Sequence, residues 1–460
     1  MNKICKKFDM FYTALALNLS NKKFKWIINS LLFYIVLCTW TNKSFFKVDD
    51  VLTTAIYAIG YFCLFVLAIV LNSGNVQRRP YISKIFLFLY ISFSVTFIIG
   101  AVFTVRMGSI LLGGTYIVSM ILIVLFCQEE ERKKVLINGL FNSIILNYFI
   151  IIVISLFSIN AEDQIQYAGL FDNPNSLGVF CIAAFIAFLY ECVYKEKYIY
   201  FIGLGTCLSV AFATQSRTVL LCFIVNAVII CIYALIRRKV INFKYIFAVI
   251  IGAVITFLLI FYISPFLDDI KNTVLQPEYT IDEKEQGVEG QGETDLDNTA
   301  DVPSESEKIE IPLEDRDFNR VTHGITDGGD VLSGRMGIWK TYLSDINLAP
   351  HNDSQLPQVD GETISLSAHN TYIHLAYCFG ALCGILYLFT NITAGITSLK
   401  RIRENKNEFY YIIAMMAVLN YGMLTVVETS YDILSNVVCL MYWFITLIVV
   451  MPNAKRRYER

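Results

Sequence analysis

Four histidines occur in the 460-residue chain, and His323, His351, His369 and His374 all fall in one stretch about fifty residues long. Imidazole is the side chain suited to moving protons near neutral pH, whereas an apolar bundle is indifferent to where histidines stand. The same stretch holds Ser333-Gly334-Arg335 with Trp339 behind it, and closes on Ala368-His369-Asn370. A guanidinium offers a planar fork for two phosphate oxygens. Glycine before it permits close backbone approach, and a serine–glycine–arginine run at a helix start adds free N–H donors for an anion. Arg335 is thus a candidate anion ligand, with Ser333, Gly334 and Trp339 beside it. His369 is a candidate general base, a role that contributes about 10²–10⁴-fold. Asn370 is placed to cap the helix that follows.

Three further sites carry polar groups where the sequence is otherwise apolar. Ser216-Arg217 punctuates two hydrophobic runs, and a charge in that setting asks for a role or an interface. The run Gly169-Leu170-Phe171-Asp172-Asn173-Pro174-Asn175-Ser176 reads as a turn and a capped helix start, and Asn173 and Asn175 can bond sugar hydroxyls or phosphate. Glu428, near the end of a late apolar run, can orient a histidine or pair with an arginine. His374 stands five residues after His369 on a different helix face, and His323 and His351 have no carboxylate at motif spacing, so no metal site is expected. No P-loop, dinucleotide glycine fingerprint, HExxH or Cys/His signature occurs, which leaves no cofactor in view. The twelve cysteines stand mostly alone inside apolar runs and read as small buried hydrophobes.

The elements that must position these groups are membrane helices. The chain is 56% hydrophobic and only 17% charged, more apolar than soluble domains sustain. Runs of about 20 apolar residues recur at roughly 26–41, 51–71, 85–105, 108–127, 135–159, 176–194, 198–214, 218–236, 243–264, 371–398, 409–427 and 435–451. The prediction is an all-α polytopic membrane protein of about 12 spans, with no internal repeat visible. Placing both termini in the cytoplasm puts 26 of the 37 Lys and Arg residues inside, and leaves only Lys43, Lys47, Arg106 and Arg217 in the short outer loops.

Three regions follow: a nine-span bundle over 1–264, an extracytoplasmic loop over 265–370, and three spans with a tail over 371–460. The loop contains 23 acidic and 7 basic residues, and the net charge of −2 averages it with a basic membrane part. Its middle, 278–317, is rich in Glu, Asp, Gly and Gln and cannot bury enough apolar surface to offset ordering, so it is expected to be a disordered spacer. Beyond it, Met336, Trp339 and Leu343 recur at helical spacing, which predicts a short amphipathic helix from Arg335 to about Ile346 on the membrane face.

In the order of these motifs, over about residues 165–450, the chain resembles the superfamily of O-antigen ligases and Wzy-type polysaccharide polymerases. The likeness rests on the run at 169–175, Ser216-Arg217, Ser333-Gly334-Arg335 with Trp339, and His369-Asn370 with Gly380 and Gly384 in the next helix. It implies a GT-C-like, metal-independent glycosyltransferase of the bacterial plasma membrane, using a glycan carried on undecaprenyl pyrophosphate at the outer leaflet. By that resemblance Arg217 and Arg335 hold the pyrophosphate and His369 deprotonates the acceptor hydroxyl. Partners would be the lipid-linked glycan, membrane lipids, a flippase and a chain-length regulator, and no nucleic acid.

The motifs do not separate a polymerase from a ligase, which uses a lipid or protein acceptor. Ile-, Lys- and Asn-rich usage fits an AT-rich source without lipopolysaccharide and favours the polymerase. A lipid-linked oligosaccharide flippase is the rival from another class. It requires charged residues at mid-membrane and symmetry between halves, whereas here the distinctive polar residues cluster toward one face.

Overall fold

The computed structural model describes residues 21–44, 50–72, 83–127, 129–157, 167–171, 173–237, 243–263, 335–352, 357–359, 362–363, 367–404 and 409–450. The acidic segment 278–317, His323, Ser333 and Gly334 lie outside the described residues. Among those described, the regular structure is helical except for one small antiparallel ladder. There β1 (Gln358–Val359) pairs with β2 (Glu362–Thr363), Gln358 opposite Thr363.

The helices are α1 (Asn21–Ser44), α2 (Asp50–Asn72), α3 (Lys84–Phe103), α4 (Met107–Phe126), α5 (Glu130–Phe157), α6 (Pro174–Lys195), α7 (Tyr198–Ala213), α8 (Arg217–Arg237) and α9 (Phe243–Leu258). A π-helical turn, Leu259–Ile263, extends α9. Then come α10 (Arg335–Asp345), α11 (Thr371–Phe379), α12 (Ala381–Glu404), α13 (Phe409–Val427) and α14 (Val437–Val450). Ten of these are long and apolar enough to cross a membrane, which makes the fold an all-helical, multi-pass architecture. The other two of the twelve expected segments are the shorter apolar helices α7 and α14.

Helix α14 is buried along its whole length. A helix that is apolar all round belongs inside a bundle, and α14 packs against α13, α12, α6 and α4. It is short because the chain before it dips into the bundle end. Three tyrosine hydroxyls meet carbonyls of that loop: Tyr61 of α2 donates to Ile433 O (3.0 Å), Tyr421 of α13 to Ser430 O (2.5 Å), and Tyr116 of α4 to Tyr431 O. Buried carbonyls need such partners, and these hydroxyls supply them.

The expected continuous span over 371–398 is broken. Gly380 has φ 94° and separates α11 from α12. A Cβ there would stand 2.6 Å from Leu348 O, so both the conformation and the space call for glycine. The chain then doubles back past α11, where a Cβ on Gly384 would meet Tyr372 O at 2.5 Å. The long helix that can cross a membrane therefore begins at Ala381, and α11 is a separate nine-residue piece. Continuous hydrophobicity hid the break because apolar residues suit both halves.

Candidate functional site

Glu428 lies just beyond the end of α13, and its carboxylate joins three of the elements above. Arg335, the first residue of α10, places Nη2 2.9 Å from Glu428 Oε1. Asn175, in the first turn of α6, donates from Nδ2 to the same oxygen at 3.4 Å. Nδ1 of His369 stands 3.6 Å from Oε2, too far for a hydrogen bond but close for a charge contact. The side chains of Arg335, Glu428 and His369 keep 20%, 23% and 39% of their surface exposed. The cluster is thus partly desolvated yet open to a ligand.

The backbone fixes each member locally. His369 has φ 47°, in the left-handed region, uncommon for residues other than glycine but one that Asn, Asp and His adopt more readily than most. Its amide is held by Ser367 Oγ at 3.2 Å. Asn370 caps α11 by accepting from the amides of Tyr372 (3.0 Å) and Ile373 (3.1 Å), while its Nδ2 donates to Val426 O at 2.9 Å. It thereby ties the start of α11 to the end of α13. Thr371 Oγ1 donates to Glu428 O at 2.9 Å and accepts from Ser430 N at 2.8 Å. Glu428 N in turn donates to Leu424 O at 2.8 Å. The carboxylate's main chain is pinned on both sides.

Helix α10 has the expected extent and brings Arg335 to the cluster. Met336 and Leu343 are more than half exposed and face away from the protein, while Tyr342 is fully buried and sets its ring 4.9 Å from that of Tyr377. Trp339 is half-buried, and its indole N–H is buried without a hydrogen-bond partner among the described residues. One helical turn separates it from Arg335, so the two share a side of α10.

Asn173 caps α6, accepting from Asn175 N at 2.8 Å. The turn that carries Ser216 and Arg217 has Gln215 at φ 49°. Its neighbour Ala213 accepts a hydrogen bond from Tyr167 N at 3.1 Å, which fastens it to the segment leading into α6. Ser216 is buried and its carbonyl receives Leu220 N at 3.0 Å; Arg217 is half-buried at the head of α8. Deeper in, Asn226 of α8 and Asn420 of α13 exchange amide hydrogen bonds of 2.7 and 3.3 Å. That pair sets the register between the helix starting at Arg217 and the helix ending before Glu428.

The remaining described histidines serve other ends. His351 stacks on Tyr377 with ring centroids 4.0 Å apart. Its Nδ1 lies 3.0 Å from Tyr377 O, and its Nε2 lies 3.3 Å from Asn347 Nδ2. Its carbonyl accepts from Arg106 Nη2 at 3.1 Å, and that guanidinium lies over the ring of Phe379. His374, on α11, packs near the ring of Tyr431. Burial first, then the Arg106 guanidinium and the nearby His369 ring, hold its pKa well below the ordinary histidine range, so it stays uncharged at neutral pH.

Sequence reasoning passed over Thr371 and the three loop-capping tyrosines. A hydroxyl beside a capping asparagine was the only signal for Thr371, and single tyrosines in apolar runs give none. No family model matches the chain, and no curated protein matches it in sequence.

Proposed function

We propose that the protein is a glycosyltransferase of the bacterial plasma membrane that polymerises undecaprenyl-pyrophosphate-linked repeat units into a capsular, exo- or O-antigen polysaccharide. The observation that carries this reading is one carboxylate, Glu428, set between a guanidinium and an imidazole at one end of a multi-helix membrane bundle. A phosphate ligand and a base are the two groups that glycosyl transfer from a lipid pyrophosphate requires. The buried, unpartnered N–H of Trp339, one turn from Arg335, is a further donor for a phosphate or sugar oxygen.

In this reading ten long helices together with α7 and α14 make twelve spans in a GT-C-like arrangement. Both termini are cytoplasmic, and the Glu428 end faces outward, where lipid-linked donors are presented. Met336 and Leu343, turned away from the protein, rest against the membrane surface. His369 takes the proton of the acceptor hydroxyl, whose oxygen bonds to the anomeric carbon. The bond from that carbon to the phosphate oxygen breaks, and its electron pair leaves with the lipid pyrophosphate. Arg335 and Arg217 stabilise the charge that develops there. The protein's own groups supply the base and the anion stabilisation, so the step is written without a metal ion.

The test is purified protein incubated with lipid-linked repeat units in EDTA, with products sized on a gel. A ladder supports the polymerase. One addition to a different acceptor instead identifies a ligase. Absence of any product sinks the enzyme reading and turns attention to transport of the same lipid.

A further inference from the structure

Glu428 holds Arg335 and His369 at once, yet unequally. Oε1 is within hydrogen-bond distance of Arg335 and Asn175, while Oε2 stops 3.6 Å short of His369. A carboxylate on the guanidinium fork occupies the geometry that phosphate oxygens would take. Without donor, the anion ligand is closed on an internal anion and the imidazole lacks a full hydrogen bond to its carboxylate. His369 Nε2 makes no hydrogen bond to any described residue, which leaves it for the acceptor.

We infer that Glu428 couples donor binding to activation of His369, an inference that rests on the polymerase reading. The donor pyrophosphate takes Arg335, and the released carboxylate closes the gap to Nδ1. There it orients the ring and stabilises the imidazolium that forms once the acceptor proton reaches Nε2. The new glycosidic bond and the departing lipid pyrophosphate are those of the reaction above, so the coupling adds no reactant. Glu428 is a positioning residue in this scheme, acting through Arg335 and His369.

Only the side chain has to move. The Glu428 amide and carbonyl are both bonded, Thr371 bridges to Ser430 N, and Tyr421, Tyr116 and Tyr61 cap the carbonyls at 430, 431 and 433. A rotation of one carboxylate within a pinned loop converts the pairing with Arg335 into pairing with His369. The scheme orders events: the base becomes effective after the donor is seated, which protects the activated site from working on water or acceptor alone.

The experiment compares wild type, Glu428→Gln, Arg335→Gln and the double variant. One arm measures binding of undecaprenyl pyrophosphate in detergent micelles, and the other measures kcat for extension of lipid-linked repeats. Coupling predicts that Glu428→Gln binds the pyrophosphate more tightly, by about 5- to 150-fold, the span of coupled sites, while kcat falls. In the Arg335→Gln background the same change leaves binding unaltered, because the competition for the guanidinium is already gone. A merely structural Glu428 would lower binding and turnover together, and that result, or unchanged binding in Glu428→Gln, overturns the coupling while leaving the polymerase standing. Wild-type protein that extends nothing and does not bind undecaprenyl pyrophosphate overturns the polymerase itself, and the coupling with it.

Discussion

Two arginine–histidine clusters lie near each other at one end of the bundle, and they are built oppositely. Around Glu428, Arg335 and His369 meet a side-chain carboxylate and stay partly exposed. Around Tyr377, Arg106 meets a backbone carbonyl and the face of Phe379, and both ring nitrogens of His351 lie near protein polar atoms. His374 stands between them and senses both Arg106 and His369. The residue types are the same, so type alone does not mark chemistry. What differs is the partner: a backbone carbonyl is committed to the fold, whereas a carboxylate can be displaced by another anion.

Substitutions can break that contrast. The largest effect is expected from His369→Ala, which should cut chain extension by about 10²–10⁴-fold, the usual worth of a general base, with protein level intact. If polymer yield in cells remains near normal, the open cluster is not the reactive one. Arg335→Lys should lose about tenfold or more, because one ammonium cannot replace a fork that meets two oxygens; initial rates at saturating acceptor measure it. Arg106→Ala belongs to the closed cluster and should leave extension rates within a few-fold. It should instead destabilise the protein by about 1.5–3 kcal/mol through loss of a charged hydrogen bond, read as a lower unfolding midpoint in detergent. A loss of activity at unchanged stability would erase the distinction between the clusters. Deleting 280–312 should matter least, since its composition offers almost nothing to pack; failure of that variant to accumulate in the membrane would show a structural role for the insertion.

The helical membrane architecture was legible because apolar runs of spanning length are an unambiguous signal. The failures have a common physical origin. Lipid and protein interior are both apolar, so hydropathy does not say which apolar residues of α10 pack inward, and Tyr342 is buried and Trp339 half-buried while Met336 and Leu343 are exposed. Likewise α11 and α12 read as one run, since hydropathy is blind to the backbone angle at Gly380. In the site, single residues were legible by type and by their place at the margins of apolar runs. Arg335, His369 and Glu428 were each singled out, but that one carboxylate would serve both others depends on folding distant segments together. Thr371 and the tyrosines under the loop act through hydroxyls whose partners are main-chain carbonyls and amides, which no spacing rule encodes.

The tyrosine hooks beneath residues 430–433 have a consequence for biogenesis. Tyr61 and the carbonyl it clasps are 372 residues apart, so α2 is made long before the loop that it holds. Until that clasp forms, the acidic residue beside it has no fixed position, and the arginine and histidine have nothing to gather round. A chain arrested before that loop is made would carry the early helices and lack the cluster. Assembly of the Glu428 cluster therefore follows the order of synthesis, because it can gather only after the loop at 430–433 has met α2.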